Sequence, residues 1–538
     1  MRMDAIDTKN QSQLMTDYRN NEKIQTFFDY NPFTSLKSRL EELQTRSFQR
    51  EGLAEVLKES NQRWGAGSAA LDKIEQITDP NAVVVVGGQQ AGLLTGPLYT
   101  INKIISIIQY AKEQEEKLDV PVLPVFWIAG EDHDYEEINH VYLPDENELR
   151  KCKINQPVLK KKPVSEIEID QAFGKEWIEE LFTSLPETIH TKDMYERAAG
   201  ALKRSKSFTD FFAHFIHDIF QKEEIILIDA QDENVRKLER DYFVAMIENQ
   251  PKISQRVFSA VEEVENLGYP TALEVDPAEA HLFYHLEGER ILLYRTEQGT
   301  WKGKMNEVEL TTEELLTVVK NDSEKLSNNV VTRPLMQELL LPTLAFIGGP
   351  GEISYWALLK DAFHALEVKM PPVVPRLSIT YVPTEIEKAL ETTGLSISTA
   401  INEGSRKAKE SWILEVQEPP IANLAEDLKE TIRNAHHPLQ ETAREIRADV
   451  GALADKNLEI IEREIDYLRN RMEKTLEDKY EKNIEPFDQI EMVLHPEGGL
   501  QERVWNILPL LNRYGTDFIT ELCQSSCSFE EVHHVVYL

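Results

Sequence analysis

The chain has 538 residues, and its hydrophobic fraction of 41% is enough to bury the cores of two or three domains. Its 94 acidic side chains outnumber 59 basic ones, and the net charge of −35 disfavours nucleic acid, whose binding depends on lysine and arginine. Since the sequence shows no apolar run of about 18 residues, no secretory signal and only three cysteines, we expect a cytoplasmic protein with small-molecule partners and no membrane partner.

The segment Val83–Lys103 is the most informative stretch of the chain. Its β-branched residues predict a strand buried on both faces, Gly87 and Gly88 end that strand, and a helical spacing of apolar residues begins at Leu98. A helix that starts after glycines leaves free backbone N–H groups, which suit a phosphate or a carboxylate. No standard nucleotide-binding motif is present, and a glycine turn with a purely structural role is the alternative. The predicted ligand contacts are Gly87, Gly88, Gln89, Gln90, Gly92, Thr95, Tyr99 and Lys103.

A second cluster, WIAGEDHD, follows the predicted strand Val122–Ile128. In an open α/β sheet, ligands bind at the carboxyl ends of the strands, so this cluster should share an edge with the first glycine segment. Its imidazole suits a general base or a group that orients a substrate, and its carboxylates suit Mg²⁺ or an ammonium group. A solvated acidic loop with helix-capping residues is the alternative. The candidate catalytic residues are Glu131, Asp132, His133 and Asp134, with Trp127 as a binding residue.

Two regions are predicted to be insertions into the core. Residues 150–207 are polar and carry a short predicted strand at Val164–Ile169. A β-rich region near residues 271–300 has two apolar segments around a turn at Glu287–Gly288, which is typical of a hairpin. Residues 1–149 and 208–385 then form the two parts of the core.

A third cluster, FIGGPGEISY, repeats the order of strand, glycine pair and helix seen in the first. Two such turns in one core favour a shared crevice. Its glutamate is placed to interact with the helix start or with a ligand amine, and the arginine of VVPRLSIT suits bidentate binding of a carboxylate or phosphate. The candidate binding residues are Gly348, Gly349, Glu352, Tyr355 and Arg376.

From residue 386 to 485 the chain is predicted to be a helical coiled-coil domain. The apolar residues alternate spacings of four and three, which is typical of a coiled-coil seam. We predict an antiparallel helical hairpin or a short bundle, with breaks near Pro438 or Gly451, and a homodimer formed through the exposed seam. The seam residues are Ala454, Leu458, Ile461, Ile465, Leu468 and Met472.

Residues 486–538 are predicted to dock back onto the core. Gln501, Glu502 and Arg503 follow a Gly-Gly turn there and are candidates for capping or clamping. The chain ends with two cysteines and two histidines, whose spacing favours buried thiols and a terminal β-edge over a zinc site. These four residues are Cys523, Cys527, His533 and His534.

Apolar runs of strand length alternate with helical patterns throughout the core. This alternation predicts parallel strands joined by crossover helices, and hence a doubly wound α/β fold. The strand-like runs are Ala82–Val86, Val122–Ile128, Glu224–Ile228, Thr343–Ile347 and Val373–Val374. The clearest helical patterns run from Pro97 to Ala111 and from Phe208 to Phe220.

Five segments together resemble the bacillithiol biosynthesis cysteine-adding enzymes, the BshC family of cysteine ligases. The resemblance covers nearly the whole chain, including its length, its acidic balance and the coiled-coil region. The segments are VVVVGGQQAGLLTGPLYTINKI, VFWIAGEDHDYEEINHVYL, FIGGPGEISYWALLK, VVPRLSIT and HPEGGLQERVWN.

The resemblance implies a ligase that joins L-cysteine to glucosaminyl-malate by an amide bond, as the last step of bacillithiol biosynthesis. It implies a Rossmann-like core with connective insertions, similar in plan to class I aminoacyl-tRNA synthetases, and a dimer formed by the coiled coil. Because a free carboxylate must be activated, ATP or ADP is the expected nucleotide, with Mg²⁺ as a candidate and zinc not expected. The two synthetase motifs, His-Ile-Gly-His and Lys-Met-Ser-Lys-Ser, are not present. The alternative is a non-catalytic, nucleotide-binding dimeric scaffold or regulator of a thiol pathway.

Overall fold

The computed structural model describes residues 1–9, 11–20, 23–145, 148–158, 160–271, 273–416 and 420–538. The chain divides into two compact units, of which the first comprises residues 1–381 and 501–538 and the second comprises residues 382–500. Within the described ranges, no helix is both long and apolar enough to cross a membrane. The finer domain boundaries drawn from composition stay predictions.

The strands and α-helices alternate along the first unit, and the second unit is helical. The described strands are β1 (Arg2–Ile6), β2 (Val83–Gln89), β3 (Val122–Ile128), β4 (His140–Asp145), β5 (Glu148–Lys153), β6 (Ile226–Asp229), β7 (Glu279–Leu286), β8 (Glu289–Arg295), β9 (Trp301–Gly303), β10 (Glu309–Leu310), β11 (Leu326–Asn328), β12 (Thr343–Gly348), β13 (Val373–Pro375), β14 (Ile379–Val382) and β15 (His533–Tyr537). The described helices are α1 (Gln13–Asn20), α2 (Leu36–Leu43), α3 (Arg50–Arg63), α4 (Ser68–Glu75), α5 (Leu98–Leu118), α6 (Tyr135–Ile138), α7 (Gln171–Ser184), α8 (Thr191–Arg204), α9 (Phe208–Ile219), α10 (Glu233–Leu238), α11 (Arg240–Asn266), α12 (Thr312–Asn321), α13 (Thr332–Leu340), α14 (Pro350–Trp356), α15 (Lys360–Ala365), α16 (Thr384–Thr393), α17 (Ile397–Glu403), α18 (Arg406–Val416), α19 (Ile421–Ile446), α20 (Ala448–Lys479), α21 (Glu481–Leu494), α22 (Leu508–Tyr514) and α23 (Asp517–Gln524).

A five-stranded parallel sheet with the order β13-β12-β2-β3-β6 forms the centre of the first unit. From β2, the strands β3 and β6 are added on one side of the sheet, and β12 and β13 are then added on the other side of β2. The strand order therefore reverses between β2 and β12, which is the arrangement of a doubly wound fold. The predicted α/β fold class is confirmed, and so are all five predicted core strands.

The strand β2 continues past the predicted end at Val86, through Gly87 and Gly88 to Gln89. Both glycines pair in register with the neighbouring strand β3. A Cβ atom on Gly88 would lie 2.6 Å from the backbone oxygen of Trp127, so only glycine permits this close approach of the two strands. The glycine pair therefore belongs to the sheet, and the turn comes after it.

The β-rich insertion forms an antiparallel sheet with the order β10-β9-β8-β7-β11. The predicted hairpin turn is confirmed, because β7 and β8 are joined by Glu287 and Gly288, whose φ angles are 51° and 84°. Two consecutive positive φ angles are those of a type I′ turn, which matches the twist of the flanking strands.

The predicted strand at Val164–Ile169 is wrong, because Val164–Glu166 form a 3₁₀ turn. The amide of Val164 donates to the Asp132 oxygen at 2.7 Å, and that of Ser165 donates to the Gly130 oxygen at 3.0 Å. These amides hold the loop after β3 and are not available for a strand partner.

In the second unit, α19 and α20 form the predicted antiparallel hairpin. The chain reverses at the extended residue Arg447, and not at Pro438 or Gly451. Pro438 lies inside the continuous helix α19. Two ion pairs join α19 to α20 at positions farther from the turn than Pro438. These pairs are Lys429–Asp466 at 3.0 Å and Arg433–Glu462 at 2.6 Å.

The C-terminal strand β15 lies between β1 and β14. The predicted terminal β-edge is therefore wrong, because the N-terminal strand Arg2–Ile6 pairs with β15 and covers it. The predicted burial of Cys523 and Cys527 is confirmed.

Candidate active site

A cavity of about 490 Å³ opens beside the carboxyl ends of β2 and β12, where the strand order reverses. Its volume lies within the range of small-molecule sites, and its position is the one where open α/β sheets bind ligands. The structure brings eleven of the predicted site residues into its lining: Gly88, Gln89, Gln90, Tyr99, Lys103, Trp127, Asp132, Gly349, Glu352, Tyr355 and Arg376. The cavity lining does not include Gly87, Gly92, Thr95, Glu131, His133, Asp134 or Gly348.

The first glycine loop (residues 87–96) continues from β2 into a strained turn. Leu94 and Thr95 have φ angles of 44° and 77°, which side chains with a Cβ rarely adopt. The side-chain amide of Asn506 donates to the backbone oxygens of Leu94 at 2.8 Å and Gly96 at 2.7 Å. A distant segment therefore holds this loop in place.

The start of α5 does not present the predicted free backbone N–H groups to a ligand at Pro97 and Leu98. The helix begins only at Leu98, and Pro97 before it has no N–H group. The amide of Leu98 donates to the Trp505 oxygen at 2.7 Å. The first glycine loop therefore meets the cavity through β2, Gln89 and Gln90, and not through the first amide of the helix.

The second glycine loop (residues 348–352) is closed by Glu352. Its Oε2 atom accepts the Gly349 amide at 2.7 Å, which is the predicted interaction with a helix start. The same oxygen accepts a hydrogen bond from Lys103 Nζ at 2.5 Å. Lys103 also donates to the Gly88 oxygen at 2.6 Å and to Gln89 Oε1 at 3.1 Å. All three donors of the ammonium are used, so Lys103 ties the two glycine loops together.

Arg376 was predicted to bind a ligand anion through both terminal nitrogens. In the structure these nitrogens bind the Glu502 carboxylate at 2.8 and 2.7 Å. Burial would raise the pKa of Glu502, but the Arg376 guanidinium outweighs burial and lowers that pKa to about 2. Glu502 also accepts from Asn102 of α5 at 2.8 Å, so it joins α5 to the segment that carries Arg376, and both elements contribute to the cavity lining.

The acidic loop (residues 131–134) points its four side chains in different directions. Glu131 is buried and forms an ion pair with Arg236. Asp132 faces the cavity and accepts from Gln90 Nε2 at 2.9 Å. His133 lies beside it, with Nδ1 3.2 Å from Arg290 Nη1, and the side chain of Asp134 is 53% exposed.

Asp132 is held in its ionised form. Burial would raise its pKa, but the hydrogen bond from Gln90 and the charges of Arg290 and Arg333 outweigh burial and lower the pKa. Burial lowers the pKa of His133, and Arg290 lowers it further, so this imidazole is neutral at pH 7. The cavity therefore has a carboxylate on one wall with a neutral histidine behind it.

Arg333 of α13 lines the cavity and was missed by the sequence analysis. It occupies the second position of the helix, where the helix dipole disfavours a cation. Within the described residues it makes no ion pair with a carboxylate, although Tyr355 and the carboxylates of Glu131, Asp132 and Glu352 act on it electrostatically. An arginine in a first helical turn was the available signal. The other lining residues not predicted as ligand contacts are Ala129, Pro334, Gln337, Phe346, Pro350, Gly351 and Arg503.

The lining carries four cations and two carboxylates, in a chain with a net charge of −35. Lys103 and Arg376 are committed to internal partners, whereas the guanidiniums of Arg333 and Arg503 are the cations that face the cavity without such a carboxylate partner in the described part of the chain. The arrangement suits a ligand with more than one negative charge and one positive group.

Residues 1–377 match the family model described as "Bacillithiol biosynthesis BshC, N-terminal Rossmann-like domain". Residues 379–538 match "Bacillithiol biosynthesis BshC, C-terminal coiled-coil domain". The chain belongs to the BshC family. The resemblance noted from the motifs is thereby confirmed, and the parallel sheet is the Rossmann-like core of this family.

Relatives in the BshC family align with the chain almost end to end. Those from Oceanobacillus iheyensis and Bacillus licheniformis are 40% and 39% identical, and the alignments cover 100% of both chains. One from Bacillus cereus strain B4264 is 41% identical over 98% of both chains. Each of the three carries the name "Putative cysteine ligase BshC".

Proposed function

We propose that this protein is a cysteine ligase that forms an amide between the carboxyl of L-cysteine and the amine of glucosaminyl-malate, as the last step of bacillithiol biosynthesis. The names of its relatives support a ligase of cysteine. The observation that carries the proposal is the cavity at the sheet reversal, whose lining contains arginines without a carboxylate partner in the described part of the chain and the Asp132 carboxylate.

The amine substrate fits this distribution of charge. Glucosaminyl-malate has two carboxylates and one ammonium group. Arg333 and Arg503 line the cavity and would bind the carboxylates, because guanidinium–carboxylate pairs form two parallel hydrogen bonds. The ammonium then lies toward Asp132, whose low pKa keeps the carboxylate ionised at neutral pH.

We assign to Asp132 the task of deprotonating the ammonium group of glucosaminyl-malate. An ammonium has no lone pair, so it must lose a proton before its nitrogen can attack the cysteine carbonyl carbon. Asp132 holds the ammonium as an ion pair, and one N–H proton passes through its carboxylate to solvent water, which leaves a lone pair on the nitrogen for the attack. The neighbouring His133 has its Nδ1 atom occupied by Arg290 and does not line the cavity, whereas Asp132 does.

An adenine nucleotide is part of the proposal, because a free carboxylate is a poor electrophile and ATP supplies the activating group. The second glycine loop leaves room for phosphates, since nothing lies within 4 Å of the position where a Cβ on Gly351 would be. Mg²⁺ binds oxygen ligands and usually keeps several waters, so its protein ligands here would be Asp132 and the Glu352 oxygen that does not bind Lys103.

Thiol analysis of a strain that lacks the gene tests the proposal. We expect glucosaminyl-malate to accumulate and bacillithiol to be missing, and we expect the wild-type gene to restore it. Normal bacillithiol in the deletion strain would contradict the proposal.

Two neighbouring substitutions make the test specific for the cavity. Asp132→Asn removes the charge that faces the cavity and should abolish bacillithiol production. Asp134→Asn changes the same chemistry on a half-exposed side chain outside the cavity, and should restore bacillithiol like the wild type. If both variants restore bacillithiol to the same level in the deletion strain, Asp132 has no specific role and the proposed site is contradicted.

A further inference from the structure

Arg290 of the β-rich insertion reaches the acidic loop of the cavity. Its side chain is 4% exposed, and it lies on β8, far along the chain from residues 131–134. Its Nη1 atom is 3.2 Å from His133 Nδ1 and 3.7 Å from Asp132 Oδ1. One guanidinium therefore contacts two neighbouring residues of the loop.

The guanidinium is held from the other sides by its own sheet. Nε donates to Ser327 Oγ at 3.1 Å, and Nη2 donates to the Asn328 oxygen at 2.8 Å. Its Cζ lies 3.9 Å from the centre of the Phe283 ring. The planar fork of arginine is thus fixed in position before it meets the loop.

The strand β11 holds the acidic loop a second time. The Asn328 amide donates to Glu131 Oε2 at 3.1 Å, while the oxygen of the same residue accepts from Arg290. The loop is therefore fastened to one short strand through Glu131 directly and through Arg290. The β-rich insertion is thus attached to the acidic loop at two points.

The contact with His133 determines the position of its proton. An arginine side chain has donors only, so Nδ1 must supply a lone pair. The proton of the neutral imidazole is then on Nε2, which lies 3.8 Å from Asp134 Oδ1. In this form the lone pair of His133 Nδ1 accepts the hydrogen bond from Arg290, so this nitrogen is not available as a base.

We propose that Arg290 is a positioning residue of the active site, which holds His133 as its Nε2–H tautomer and keeps Asp132 directed into the cavity. The role of Asp132 in the reaction rests on the proposed function, whereas the tautomer does not. The groups that face His133 are Arg290, Asp132, Asp134 and Lys161. Removal of Arg290 should therefore raise the pKa of His133, since that guanidinium is the main charge that lowers it after burial.

Nitrogen NMR of the full-length protein labelled with ¹⁵N-histidine tests the assignment. The chain has 13 histidines, and the His133 signals are identified by their loss in His133→Gln. We expect Nδ1 at the shift of an unprotonated nitrogen and a titration midpoint below the usual value of 6.5. In Arg290→Met the midpoint should rise. A wild-type spectrum with the proton on Nδ1 would overturn the proposal.

Arg295→Met is the matched control. Arg295 lies on the same strand, with Cζ 5.4 Å from the Trp301 ring, and it makes no described contact with the acidic loop. This variant should leave the His133 titration unchanged. An equal rise in both variants would show a general loosening of the sheet and would contradict a specific role of Arg290.

The activity readout separates positioning from stability. We expect Arg290→Met to lower kcat by about 10- to 100-fold, with little change in the KM for the nucleotide, because a small displacement of Asp132 affects the reacting atoms. Arg290→Lys keeps a cation and should recover part of the low His133 pKa. If the wild type shows no ligation while the tautomer is as expected, the proposed function fails and this inference stands. If ligation is normal in Arg290→Met, the inference fails.

Discussion

The two glycine loops follow parallel strands with the same order of apolar run and glycine pair, yet they are stabilised in different ways. The second loop is closed within three residues, because Glu352 accepts the Gly349 amide and Pro350 begins the helix. The first loop has strained residues at Leu94 and Thr95, and depends on Asn506, which is 412 residues from Leu94 in the chain.

This difference shows that similar segments can need different support. A capped turn is encoded by neighbouring residues, so it forms wherever those residues occur. A strained turn persists only where the surrounding structure holds it in place. The first loop therefore depends on Asn506 of the C-terminal segment, whereas the second loop is closed by its own residues.

Loss of Glu502 should have the largest effect, because this buried carboxylate joins Arg376 to Asn102 of α5. Glu502→Ala leaves the buried guanidinium of Arg376 without its partner, and removal of one member of a buried pair costs about 3–5 kcal/mol. Urea unfolding should show this loss of stability. A change below 1 kcal/mol would mean that water or another carboxylate replaces Glu502.

The same carboxylate predicts a pH dependence. Its pKa is about 2 in the folded protein, against an ordinary value of 4.5. The stability that it contributes is therefore complete above pH 4.5 and is lost as the pH falls through 2. The unfolding free energy of Glu502→Gln should fall less steeply than that of the wild type over this range. Parallel curves would show that Glu502 is not responsible.

Gly88→Ala should have the next largest effect, on the first loop. The new Cβ would meet the rigid backbone of Trp127 at 2.6 Å, and such overpacking costs about 1–3 kcal/mol. Gly351→Ala in the second loop is the control, because its Cβ meets nothing within 4 Å. Thermal unfolding should separate the two variants. Equal melting temperatures would contradict the close approach of β2 and β3.

Asn506→Ala should destabilise the first loop by about 1–3 kcal/mol, because two backbone oxygens lose their donor. The exposed Asn470→Ala in α20 is its control and should change stability by less than about 0.5 kcal/mol. We expect hydrogen exchange near residues 94–98 to increase only in Asn506→Ala. Unchanged exchange there would show that the strained turn needs no distant support.

The helical hairpin of the second unit gives the smallest predicted effect on stability. The homodimer through the seam stays a prediction, and the seam residues Leu468 and Met472 are exposed large apolar side chains that a second copy would cover. Leu468→Lys should produce monomers in light-scattering chromatography, with a monomer stability within about 0.5 kcal/mol of the wild type. Asn470→Lys adds the same charge nearby and should remain dimeric. A wild-type protein that is monomeric would contradict the prediction.

The success of prediction from the sequence depended on how local each feature is. The core strands, the Glu287–Gly288 turn and the Glu352 cap were predictable because neighbouring residues determine them. Arg290 and Asn506 were missed, since their partners lie far away in the chain. The predicted strand at Val164–Ile169 failed for the same reason, because its amides bind the loop after β3.

The sequence predicted where the candidate site lies more accurately than it predicted what each residue of the site does. Most predicted residues of the two glycine loops line the cavity. The roles of Lys103 and Arg376 were not predictable, because each cation is bound by a carboxylate from a distant segment. Arg333 was overlooked, although an arginine at the start of a helix is unfavourable without an anion.

A crystal structure of the protein with bound glucosaminyl-malate tests the central claim most directly. We predict that the ligand occupies the cavity between β2 and β12, with its carboxylates at Arg333 and Arg503 and its amine at Asp132. Glucosaminyl-malate bound at another place, with this cavity left free, would contradict the account.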